Sequence, residues 1–159
     1  MNQQVTNVVI GGLGGQGVLR ASDILADVVL RAGYDVKKSE LHGMSQRGGS
    51  VSSDVRFGAV VHSPMVPAGE ADYLLVLTAD QVEPNRHVVR SGGIIILPDQ
   101  VDSAKLLNRK SLNVALLGLL SSYLPLPEEL WMATIREQFP EKLHAANEQA
   151  FKLGRAARV

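Results

Sequence analysis

The stretch Val8-Val9-Ile10-Gly11-Gly12-Leu13-Gly14-Gly15-Gln16-Gly17-Val18 decides the fold. A short apolar, β-branched run that stops at glycines reads as a strand buried on both faces and ended by a turn. Immediately after it, over 16–32, the apolar residues Val18, Ala21, Leu25, Val28, Val29 and Ala32 recur at helical spacing, with Arg20, Asp23, Asp27 and Arg31 on the opposite face. Gly33 supplies the helix stop. A second strand over 35–41 completes a strand-helix-strand unit, whose two strands are expected to run parallel through a right-handed crossover.

Further along, 42–50 is polar and glycine-rich, with no period, and reads as a loop. Val51, Ser53, Val55 and Phe57 then alternate with polar neighbours, and Gly58-Ala59 before Val60-Val61 suits a two-residue hairpin turn. Pro64 and Pro67 break the chain. Two more buried strands, over 73–77 and 94–97, flank a short helix with Pro84 in its first turn. The last third holds helices over 113–123, 128–139 and 141–157, punctuated by Pro125, Pro127 and Pro140. The expected architecture is α/β: an open, mostly parallel, Rossmann-like sheet flanked by helices, with an antiparallel hairpin insertion and a helical C-terminal tail. At 159 residues, 1–159 is expected to form a single domain.

Composition removes several functions. There is no cysteine, so thiolate-held iron–sulfur clusters, disulfides and thiol nucleophiles are excluded. Sixteen Lys plus Arg balance sixteen Asp plus Glu, leaving no basic excess to grip nucleic acid or an anionic membrane. No apolar run approaches the ~20 residues that span a bilayer. With no export signal at 1–4, a cytoplasmic location is expected.

Gly12, Gly14 and Gly17 form GxGxxG at the strand-to-helix junction. Glycines permit close backbone approach, and a helix start presents unpaired N–H groups at the positive end of its dipole, so this junction suits an anion such as phosphate. A tight turn with no ligand remains the plain alternative. No Gly-Lys-Ser/Thr follows, which excludes a Walker-type nucleotide loop. A dinucleotide enzyme would need an acid at the end of the second strand, and Glu40 is the candidate to hold a ribose. The loop 42–50 would leave that strand beside the glycine turn, where Ser45, Gln46, Arg47 and Ser50 could reach the same ligand. His42, His62, His87 and His144 lack metal-ligand spacing. His42 with Ser45 has no oriented acid and no nucleophile elbow. Trp131, Phe139 and Phe151 sit among aliphatic residues at helical spacing and read as packing.

Gly11-Gly12-Leu13-Gly14-Gly15-Gln16-Gly17 combined with Lys38-Ser39-Glu40-Leu41-His42-Gly43-Met44-Ser45-Gln46-Arg47-Gly48-Gly49-Ser50-Val51 resembles the gamma-type subunit or domain of 2-oxoacid:ferredoxin oxidoreductases, and looks closest to the beta subunit of indolepyruvate:ferredoxin oxidoreductase. The likeness continues through Val55-Arg56-Phe57-Gly58, Ser63-Pro64, Gly69-Glu70-Ala71-Asp72, Leu116-Leu117-Gly118, and Asn147, Ala150, Phe151 and Gly154. It implies one subunit of an enzyme that decarboxylates a 2-oxoacid such as indolepyruvate or pyruvate, passes electrons to ferredoxin and forms an acyl-CoA. It also implies that thiamine diphosphate, magnesium and iron–sulfur clusters sit on partner subunits, and that this chain has no catalytic residue or metal of its own. Gly12, Gly14, Gly15, Gln16 and Gly17, with Ser45, Gln46 and Arg47, would then help bind coenzyme A through its phosphates. The chain departs from the resemblance between Pro98 and Asn113, where many relatives carry a longer, strand-containing segment. The competing readings are a stand-alone dinucleotide oxidoreductase using Glu40, and a scaffold whose glycine turn binds nothing.

Overall fold

A computed structural model of the chain describes residues 4–42 and 49–158. Five strands, β1 (Thr6–Leu13), β2 (Asp35–His42), β3 (Ser50–Gly58), β4 (Ala71–Val76) and β5 (Val89–Ile96), form one sheet in the order β2-β3-β1-β4-β5. Four run in one direction and β3 opposes them: β1 pairs parallel with β4 and β4 with β5, while β3 is antiparallel to both β1 and β2. The expected α/β architecture with an open, mostly parallel sheet is therefore present. β1 is central and its residues from Asn7 to Gly12 are buried, which is why it reads as a continuous apolar run rather than an alternating one.

Two details differ from the sequence expectation. First, β1 and β2 point the same way, as a strand-helix-strand unit requires, but β3 lies between them. Second, the antiparallel partner of Val51 to Phe57 is not Val60-Val61. β3 ends at Gly58, where a Cβ would crowd the carbonyl oxygen of Gln4 at 2.9 Å, and the chain then leaves the sheet. Val61 N–H donates to the Asp35 carboxylate at 2.8 Å, which leads the chain along the start of β2 instead of back along β3. The antiparallel pairing is made by β2 and β3 across residues 43–49.

α1 (Val18–Arg31) lays Val18, Ala21, Ile24, Leu25, Val28 and Val29 on the sheet. Its end is a Schellman motif: Gly33 adopts φ +98°, its N–H donates to Leu30 O, and Tyr34 N–H reaches back to Val29 O. α2 (Val82–Asn85) is a single turn on the other face. There Val9, Val66, Ala71, Leu74, Val76 and Val82 make a smaller cluster. α3 (Leu112–Ser121), α4 (Glu128–Gln138) and α5 (His144–Ala156) join α1 in the main core.

α3 is apolar all round and buried from Asn113 to Ser121, so the Leu116 to Leu124 run belongs to the core. It crosses α5 with backbones in contact. A Cβ on Gly118 would collide with Phe151 O, and one on Gly154 with Ala115 O. Trp131 and Phe151 stack at 5.6 Å beneath that crossing, both fully buried, as packing residues. Phe139 is half-buried under the Arg20 guanidinium.

Candidate functional site

The turn between β1 and α1 is built from glycine chemistry and one glutamine. Gln16 N–H donates to Leu13 O at 3.1 Å, closing a turn over Leu13-Gly14-Gly15-Gln16 whose third residue, Gly15, has φ +87°. The Gln16 side-chain oxygen accepts from Leu13 N–H at 2.7 Å, and its amide N–H groups make no hydrogen bond among the described residues. Gly12 is buried under this loop. A Cβ there would meet Val18 at 2.8 Å and Gln16 Oε1 at 2.9 Å, so Gly12 makes room for the turn from below.

Gly17 is the N-cap of α1 at φ +86°, and no side chain caps the helix. Its carbonyl takes the first helical bond from Ala21 and a second from Asn113 Nδ2 at 3.2 Å. The first turn of α1 holds no acidic residue, so its positive end is uncompensated within the helix. A Cβ on Gly17 would run into the Asn113 amide, whereas one on Gly15 meets nothing within 4 Å among the described residues. The turn is thus closed on the α3 side at Gly17 and open at Gly15.

That opening is a cleft of about 360 Å³ lined by Gly15, Gln16, Gly17, Leu77, Arg109, Lys110, Leu112 and Asn113. It lies at the carboxyl ends of β1 and β4, where Leu77 N–H donates to Gly11 O at 2.9 Å, the position at which open α/β sheets receive ligands. Arg109 and Lys110 are exposed and form no ion pair among the described residues.

Sequence reasoning missed these two cations because they fall in the segment that read only as shortened. In the structure that segment contains three turns of 3-10 helix, Pro98–Gln100, Ser103–Lys105 and Arg109–Ser111, and no strand. Asn108 caps the last by accepting from Lys110 N–H at 3.0 Å. An Asx-type cap directly before two basic residues and a buried helix was the available signal.

Ser45, Gln46 and Arg47 lie outside the described residues. The end of their loop is described: Gly14 N–H donates to Gly49 O at 3.0 Å, so residue 49 sits against the glycine turn. Glu40 does not reach that turn in the manner of a ribose-binding acid. β3 separates β2 from β1, which puts the two strands about 10 Å apart at two strand spacings, and Glu40 pairs with Lys38 Nζ at 3.3 Å. No group of His, Cys, Asp or Glu among the described residues is placed to hold a metal ion. No helix among them is long and apolar enough to cross a membrane.

The chain matches the family described as pyruvate ferredoxin/flavodoxin oxidoreductase over residues 7–157. It is 37% identical over 190 aligned positions to the indolepyruvate oxidoreductase subunit IorB of Thermococcus kodakarensis, covering 93% of this chain and 93% of that protein. The gamma subunit of a keto/oxoacid ferredoxin oxidoreductase from Geobacter sulfurreducens superposes with a TM-score of 0.79 at 21% identity, covering 95% and 94% of the two chains. A 2-oxoglutarate:ferredoxin oxidoreductase from Magnetococcus marinus, solved with 2-oxoglutarate, coenzyme A and succinyl-CoA, gives 0.80 at 18% identity over 98% of this chain and 31% of that one. The match runs nearly end to end and the fold agrees with it: the chain belongs to the pyruvate ferredoxin/flavodoxin oxidoreductase family, as a subunit of a 2-oxoacid:ferredoxin oxidoreductase.

Proposed function

We propose that this subunit binds the phosphate end of coenzyme A at the glycine turn, within an enzyme whose oxoacid is indolepyruvate. The observation that carries the reading is one juxtaposition: an uncapped helix start formed by Gly15, Gln16 and Gly17 faces Arg109 and Lys110 across a single cleft. Amide donors fix the position of a phosphate, and the two cations supply its counter-charge. Gly14 and Gly15 allow close approach, Gly12 supports the turn, and Ser45, Gln46 and Arg47 would close the site from the neighbouring loop. Coenzyme A supplies the thiol that accepts the acyl group, and this chain's part is to hold and orient it. Residues 1–159 act as one folding unit, and thiamine diphosphate, magnesium and the clusters belong to partner subunits. The absence of cysteine in the chain supports that division for the clusters. The indolepyruvate assignment is supported by the 37% identity to IorB over nearly the whole chain.

Calorimetry of coenzyme A against the assembled enzyme tests the site. Arg109→Ala with Lys110→Ala is expected to weaken binding by about tenfold or more, the factor attached to one charge-assisted contact. Unchanged affinity in the double variant, or no binding by the wild-type assembly, would overturn the reading.

A further inference from the structure

A larger cleft lies away from the glycine turn. It has a volume of about 570 Å³ and occupies the face of the sheet opposite α1, between the edge strand β2 with its neighbour β3 and the segment carrying Val66, Gln81 and Asn85. The small apolar cluster on this face extends to Val9 of β1 and includes no residue of β2 or β3 among the described residues.

Three features of the cleft point to one kind of occupant. Gln81 is only 6% exposed, and its side-chain oxygen is buried with no hydrogen-bond donor among the described residues. A buried acceptor without a donor costs about 1–3 kcal/mol, so it calls for an incoming N–H or O–H. The lining also contains the carboxylate of Asp54 and no lysine or arginine among the described residues, whereas the Glu40 carboxylate is turned to the α1 face, where it meets Lys38. Asp54 gives one oxygen to Val66 N–H at 2.8 Å, and its other oxygen has no hydrogen-bond partner among the described residues. Finally, Leu41 and Met65 in the cleft wall are 70% and 61% exposed, large apolar side chains held against water.

We infer that this cleft is a docking surface for a partner subunit that inserts an arginine, flanked by apolar side chains, toward Asp54 and Gln81. A guanidinium carries five donors in a planar fork and no acceptor, which complements an acceptor-rich, carboxylate-bearing cleft. Leu41 and Met65 give the insertion an apolar surround that excludes water, as around a hot spot. The inference rests on the chain's being a subunit of an oxidoreductase assembly and is independent of where coenzyme A binds.

The test uses the partner subunits of the enzyme, co-expressed and purified, with affinity for this chain measured by biolayer interferometry. Leu41→Lys places a like charge against the incoming cation, and Gln81→Met removes the orphan acceptor at similar volume. Each is expected to weaken assembly by about tenfold, the worth of one charged hydrogen bond. Leu30→Lys, at a residue 58% exposed on α1, is the control and is expected to leave assembly unchanged. Gln81→Met should keep or raise the thermal midpoint of the isolated chain, whereas a merely structural glutamine would lower it. Phenylglyoxal treatment of the partner before mixing should block assembly, and treatment afterward should not. Wild-type affinity in Leu41→Lys, insensitivity to arginine modification, or a destabilised Gln81→Met chain would each overturn the inference. Because Leu41 is on the surface, its variant remains informative if Gln81→Met does not fold. Coenzyme A titrations on the isolated Leu41→Lys and wild-type chains, expected to agree, keep this outcome separate from that of the glycine-turn proposal.

Discussion

At the scale of single residues, the glycine turn separates positions that make space from a position that makes shape. Gly15 is unobstructed among the described residues, so substitution there costs conformation. Alanine at φ +87° should lower stability by about 1–2 kcal/mol, and asparagine, which tolerates the left-handed region, by less. Urea unfolding of the two variants checks the order. If Gly15→Ala keeps wild-type stability, the turn conformation is not what holds glycine there.

Asp54 is the residue whose titration matters. Partial burial raises its pKa above the ordinary carboxylate value, against the lowering effects of the Val66 N–H and of Arg56. A carboxyl group whose folded pKa lies above its unfolded one favours the fold most below the unfolded value, and that contribution is lost as pH rises through the folded value. An asparagine amide in its place does not titrate and can still accept from Val66. Asp54→Asn should therefore be the more stable chain near pH 7, with the advantage shrinking as pH falls toward about 4, the ordinary carboxylate range, measured as the difference between paired urea melts. The sign follows from holding a carboxylate partly dehydrated in the absence of its partner.

At the scale of elements, the α3–α5 crossing is set by two missing Cβ atoms. Gly154→Ala or Gly118→Ala would push a carbon into a backbone carbonyl, which no rotamer change relieves. Overpacking of this kind costs about 1–3 kcal/mol and here should reach the upper end, read as a drop in the urea midpoint at constant slope. Element positions were largely legible in the sequence because period and punctuation agree: α1 between Gly17 and Gly33, the three C-terminal helices between prolines, and β1 as an uninterrupted apolar run.

Pairing was not legible. Ser50 to Gly58 alternates as a strand should, but alternation says nothing about which neighbours it takes, and Gly58-Ala59 offered a local turn that Asp35 outcompetes by capturing Val61. Half of the candidate site was readable from the glycines and their place before a helix. The other half, Arg109 and Lys110, comes from a distant part of the chain through tertiary packing, anchored by the Asn113 bond to Gly17. No local pattern encodes that contact.

At the scale of the whole molecule, one sheet carries both faces, and the main core joins α1, α3, α4 and α5 to it. Cooperative unfolding is expected. Trp131, the single tryptophan, is fully buried in that core, so its fluorescence should report the same urea midpoint as far-ultraviolet circular dichroism. Two separated transitions would show that the sheet and the C-terminal helices fold independently.

The tight helix crossing at Gly118 and Gly154 also bears on how this chain should be compared across species. Neither residue lines the glycine-turn cleft, yet natural variation at both should be low, because one added methyl group forces the two helix backbones apart. An inventory that ranks positions by invariance would place this pair beside Gly15 and Gly17 and mistake a mechanical constraint for chemistry. The two kinds of constancy separate under assay: the helix pair should fail in folding yield before any loss of affinity is seen, and the turn in affinity.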